Sequence, residues 1–182
     1  MLTDQHHPFK VRSADVEMTD DEYQELAELD RIRSSNPVLD AWLQNQEQAF
    51  PIWAQQHDGD WDFSPDSLER LEDFVRSRYV SSDQAWEERG SDFLQTAAWY
   101  VGEVHHRTCG TQWQYHPDSA TADRAMSPFV TVPFDRLFDF EDEDGIESDA
   151  RPLYTPVNRL CGILDADGGS LITDIDIHTP PQ

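Results

Sequence analysis

The chain has 182 residues, and its 37 acidic against 13 basic side chains leave a formal net charge of −24. A surface of that sign repels nucleic acid and anionic membranes, and it attracts cationic partners at rates that fall as salt rises. Nine Phe, six Trp and five Tyr supply the large apolar side chains that a disordered chain lacks, and the length suits one core.

Residues 1–17 show no sustained periodicity and read as a flexible segment ahead of a single domain over 18–165. Thr19 and Glu22 then form a capping box, Met18 can staple onto Tyr23, and Leu26, Leu29 and Ile32 predict one apolar stripe down to about Arg33. A second helix follows from the cap Asn36 and first-turn Pro37, with Leu39, Trp42, Leu43 and Ala49 in register. Pro51 to Phe63, PIWAQQHDGDWDF, breaks that spacing and reads as a loop anchored by Trp53 and Trp61. Ser64 and Pro65 start a third helix, Phe63 can staple to Leu68, and Leu68, Leu71, Phe74, Val75 and Tyr79 form its buried face.

Ser82 is the next cap, and the helix that follows is interrupted near Gly90. Beyond it Phe93, Leu94, Ala97, Tyr100, Val101 and Val104 share one arc, while Ala98 and Gly102 beside that arc predict the close approach of another backbone. Gly110 stops the helix, and Thr111, Trp113 and Tyr115 alternate with Gln112, Gln114 and His116 as a half-buried strand. Met126 to Val132 is its antiparallel partner, FDRLFDF after Pro133 is a short amphipathic piece, and EDEDGIESD is an acidic loop. A short helix over about 155–164 and a tail or edge strand over 166–182 complete the chain. The predicted class is α+β: N-terminal helices, a small antiparallel sheet, a short C-terminal helix.

Chemistry concentrates in AAWYVGEVHHRTCGTQW, Ala97 to Trp113. Glu103 and His106 share a helix face, the spacing used by carboxylate-bridged metal bundles, but such a bundle needs a second Glu-x-x-His and two further glutamates, which the chain lacks. His105 and His106 point about 100° apart on a helix and converge poorly on one ion with Cys109. A packed helix feeding a strand is therefore preferred, with no catalytic, metal or cofactor residue assigned. Cys109 and Cys161 lack CxxC spacing and read as reduced thiols; the phosphate-loop, dinucleotide and nucleophile-elbow motifs are absent. FEDEDGIESD and DADGGSLITD fail as calcium loops, because Gly145 forces the first ligand position onto Phe140 and Ser170 stands where the second needs glycine. The start MLTDQHHPFK lacks the features of a secretory signal and no apolar run approaches the ~20 residues of a membrane span, so a cytoplasmic chain with no membrane partner is expected.

SPDSLERLE at Ser64–Glu72, YVGEV at Tyr100–Val104, Gly110 with Trp113, and SPFVTVPFDRLF at Ser127–Phe138 together resemble a family of uncharacterised bacterial proteins of actinobacterial type. The resemblance covers Phe63 to Phe138, implies a fold role for Glu103 and local variation at His105 and His106, and brings no enzymatic activity with it. A looser likeness is to acidic immunity proteins of bacterial toxin systems. The expected function is thus a non-enzymatic partner of a basic protein such as a nuclease toxin, docking through Asp139, Glu141, Asp142, Glu143, Asp144, Glu147 and Asp149. Two alternatives stand beside it: a metal-assisted enzyme using Glu103 and His106, and a subunit of a larger assembly. In the second, the single lysine (Lys10) and the 24 Asp against 13 Glu are a host-wide habit.

Overall fold

The computed structural model describes residues 18–116, 126–140 and 149–180. Helix α1 spans Asp20–Ser34, and its capping box is as the sequence predicts: Thr19 Oγ1 accepts from the Glu22 amide and Glu22 Oε2 accepts from the Thr19 amide at 2.7 Å. Its buried stripe is different. Leu29 and Ile32 are exposed, and the buried residue is Asp30. The helix is turned so that Asp30 meets a buried arginine, a partnership that hydrophobic periodicity cannot register.

Helix α2, Pro37–Gln56, is capped by Asn36 and runs straight through Pro51, where the sequence predicts a break. Proline in a helix interior forfeits one backbone hydrogen bond and crowds the preceding turn. Aromatic packing overrides that cost: Phe50 stacks on Trp53 at 6.0 Å and Tyr100 at 5.3 Å, and Trp53 is buried against Trp61 and Phe93. Helix α3, Ser67–Arg78, is preceded by a tight turn in which the Ser67 amide donates to Ser64. Phe63, expected as a staple, instead adopts a left-handed φ of 62°, its amide donating to the Tyr100 hydroxyl and its ring tilted on Tyr100 at 4.8 Å.

Helices α4, Ser82–Glu87, and α5, Asp92–Cys109, are separated near Gly90 as expected; the cap of α4 is Ser81, one residue before the expected Ser82, and Ser91 caps α5. The predicted arc of α5 is buried, and Gly110 ends the helix at φ 67°. Strand β1, Gln112–Gln114, pairs antiparallel with β2, Phe129–Thr131, Trp113 facing Val130. Gly102 admits a side chain rather than a backbone: a Cβ there would lie 2.0 Å from the Trp113 indole. Gln114 is completely buried, so β1 is covered on both faces, Trp113 against α5 and the glutamines against α1.

A 3-10 turn over Phe134–Phe140 follows β2, and Tyr154 forms an isolated antiparallel bridge with Val130. Helix α6, Pro156–Gly162, lies where the sequence puts it. The tail expectation needs correction: 166–180 holds no strand but a 3-10 turn, Thr173–His178, with Leu171, Ile175 and His178 buried. It is pinned by Glu72, which accepts from Ser170 Oγ and the Leu171 amide, and by Asp174, which accepts from the Tyr154 hydroxyl at 3.0 Å and from Arg159. The architecture is α+β, with the two-stranded sheet between α1 and α5. No helix among the described residues is long and apolar enough to cross a membrane.

Candidate functional site

Glu103, His105, His106, Arg107 and Cys109 near the end of α5 each have a partner in the fold or are sealed inside it. Glu103 Oε1 accepts from the Trp113 indole N–H at 3.0 Å, and Oε2 lies 3.6 Å from Arg107 Nε. Arg107 in turn covers the face of Phe63, 3.5 Å from the ring centroid. Glu103 thereby ties α5 to β1 and orients Arg107, with a cavity of about 200 Å3 between Leu43, Glu47, Trp99 and Trp113 beside it. His106 turns the other way, its Nδ1–H donating to the Thr111 carbonyl just past the helix end. The two residues share a face but serve different partners, and among the described residues no three His, Cys, Asp or Glu side chains converge where a metal ion could be held.

His105 is fully buried with neither ring nitrogen hydrogen-bonded; it stacks on Tyr154 at 4.1 Å and meets His178 edge-on at 5.1 Å. His178 is likewise buried and unpartnered. Burial pushes His105 down to about 3, with His178 adding to it, and pushes His178 down to about 4, with Arg136 adding to it. Both rings are neutral packing units near neutral pH. Burial also raises both thiols, Cys161 to about 11, and the Cys109 S–H donates to the Ile175 carbonyl at 3.6 Å. Neither cysteine has the lowered pKa of a nucleophile.

The acidic docking residues separate into three situations. Asp139 is half exposed and accepts from Arg136 Nε at 2.9 Å. Asp149 is turned inward, gripping Arg151 with both oxygens, at 2.9 Å to Nε and 2.7 Å to Nη2. Burial raises its carboxyl, but the Arg151 guanidinium outweighs that and holds it below its ordinary value. Glu141, Asp142, Glu143, Asp144 and Glu147 lie outside the described residues. Asp149 is thus a structural anchor, a role the sequence hid because its partner belongs to a network reaching back to α1.

Two polar features escape the sequence reading. One is that network: Asp30 Oδ1 accepts from Arg151 Nη1 at 2.8 Å and from Gln114 Nε2 at 2.6 Å, while Arg151 Nη1 also donates to the Val132 carbonyl. The other is a cleft of about 450 Å3 before α3, lined by Asp58, Asp60, Asp62, Asp66, Ser64 and Arg70. The alternating aspartates were its visible signal. Arg70 lies among them, donating to the Asp58 carbonyl at 3.0 Å, and Asp62 accepts from the Ser64 amide at 2.8 Å. Comparison of the chain with family models, with curated proteins and with solved structures finds no match.

Proposed function

We propose that the chain is a non-enzymatic acidic binding protein, an immunity-like or inhibitory partner of a basic protein such as a nuclease toxin. The observation that carries the reading is the charge, 37 acids against 13 bases. Carboxylates distributed over one partner match the Lys and Arg rows with which a nucleic-acid-binding protein grips phosphates, and the field of the whole molecule accelerates encounter. The aspartate-lined cleft before α3 and the exposed Asp139 are described parts of that surface. Glu103 and His106, on which the enzymatic alternative depends, are engaged in holding α5 to β1 and closing its last turn.

The test is a low-salt capture of proteins from the host with the wild type and with a variant in which Asp139, Glu141, Asp142, Glu143, Asp144 and Glu147 become Asn or Gln. Asp149 is kept, because neutralising it would unpair Arg151 rather than a surface. The expected result is one basic protein retained by the wild type, released by salt and lost from the variant. Equal recovery by both would return the acidity to composition and favour the assembly-subunit reading.

A further inference from the structure

The 3-10 turn Phe134–Phe140 brings an aromatic side chain out of the molecule for a geometric reason. Positions three apart eclipse in such a turn, so Leu137 and Phe140 are buried on its inner side and Phe138 is left 57% exposed. Phe138 does not stand alone. It stacks on Tyr23 of α1 at 5.9 Å with the ring planes 17° apart, and Tyr23 lies 5.0 Å from Phe134. Phe134 is backed by the Arg151 guanidinium at 4.9 Å, itself locked by Asp30 and Asp149, so the stack rests on one of the most fixed points of the fold.

The surroundings are acidic on both elements. Asp20, Asp21 and Glu22 fill the first turn of α1 beside Tyr23, and Asp135 and Asp139 flank the exposed ring on the 3-10 turn. The cation of that turn, Arg136, is paired to Asp139. Rigid aromatic side chains that bury large area at small entropic cost, inside a charged rim, are how interface anchors are built. A second copy of this chain would bring the same negative field against itself, and an anionic lipid surface is repelled for the same reason.

We propose that the stack of Tyr23, Phe134 and Phe138 anchors the docking surface for a basic protein segment, receiving an apolar side chain that the segment presents between Arg or Lys residues. This rests on the acidic-docking reading above and adds a division of labour to it. The carboxylates set the rate of encounter and its salt dependence, and the aromatic stack sets how long the complex lasts.

The experiment uses two short fluorescein-labelled peptides of equal positive charge, both Arg–Lys sequences, one with Trp at its centre and one with Gly there. Anisotropy and stopped-flow traces are recorded against the full chain at low and raised salt. The wild type is expected to hold the Trp peptide about tenfold more tightly than the Gly peptide, through slower dissociation. Phe138→Ser, at an exposed position, and Tyr23→Ala, each checked by melting, are expected to erase that preference while leaving the association rate and salt slope unchanged. Equal binding of both peptides by the wild type, or a preference that survives both substitutions, overturns the anchor while the charge reading stands. If neither peptide binds at low salt, the anchor and the charge reading fall together. A wild-type dimer that Phe138→Ser dissolves would assign the stack to self-association and overturn the proposal as well.

Discussion

Asp30 and Arg151 are 121 residues apart in sequence and meet at 2.8 Å, with the arginine side chain 1% and the aspartate 11% exposed. Arg151 spreads its fork over Asp149, Asp30 and the Val132 carbonyl, and Asp30 also takes hydrogen bonds from Gln112 and Gln114. Truncating one partner of such a pair leaves buried charge uncompensated, which costs about 3–5 kcal/mol. Arg151→Ala should lower stability by that amount in urea unfolding. Arg151→Lys should lie between it and the wild type, because an ammonium keeps the charge but loses the planar fork. A loss below about 1 kcal/mol for Arg151→Ala would mean that the carboxylates left behind, Asp30 and Asp149, are reached by water and not stranded as buried charge. None of this is legible in the sequence: Asp30 sits among exposed polar positions of α1, Gln112 and Gln114 alternate like a solvated strand face, and periodicity scores an aspartate as polar wherever it lies.

Local signals locate most of the elements: the Thr19–Glu22 box, the Asn36 cap, the Gly110 stop and the β1–β2 pair all stand as their chemistry predicts. They fail at Pro51 and in the tail, where distant aromatic and ionic partners decide. The tail carries a pH consequence. His178 on the last 3-10 turn and His105 on α5 pack together without hydrogen bonds, both against Tyr154, with Arg136 acting on His178. Their folded pKa values, about 3 and about 4, lie below the ordinary histidine value near 6.5. The unfolded chain therefore binds more protons as pH falls through that value, and stability is lost from about pH 6.5 down to the folded values. At about pH 5 the loss amounts to about 2 kcal/mol per histidine relative to neutral pH. Melting curves of the wild type and of His178→Leu across that interval test it. The substituted chain should lose less stability on acidification, and parallel curves would mean that His178 is protonated without cost.

For the molecule as a whole the net charge of −24 sets a self-repulsion that opposes compaction. The described surface ion pairs, such as Arg31–Glu28 with both side chains more than half exposed, contribute little against it. Raising sodium chloride from about 10 mM to about 1 M shortens the screening length from about 30 Å to about 3 Å and should raise the melting temperature. A fall in melting temperature would mean that screened attractive pairs outweigh the repulsion. The charge was the plainest signal in the sequence and the exposed Phe138 the least visible. Its outward direction depends on how Leu137 and Phe140 are buried, which composition does not encode. The sheet adds a constraint of its own. Tyr154 exchanges both backbone hydrogen bonds with Val130 along the outer side of β2, and beyond β1 the Tyr115 amide donates to the Arg33 carbonyl at the end of α1. The outer side of β2 at Val130 is thus already paired and is closed to strand addition there. A basic partner of the kind proposed would therefore meet side-chain relief and charge on the β2 side of the sheet rather than an open strand edge.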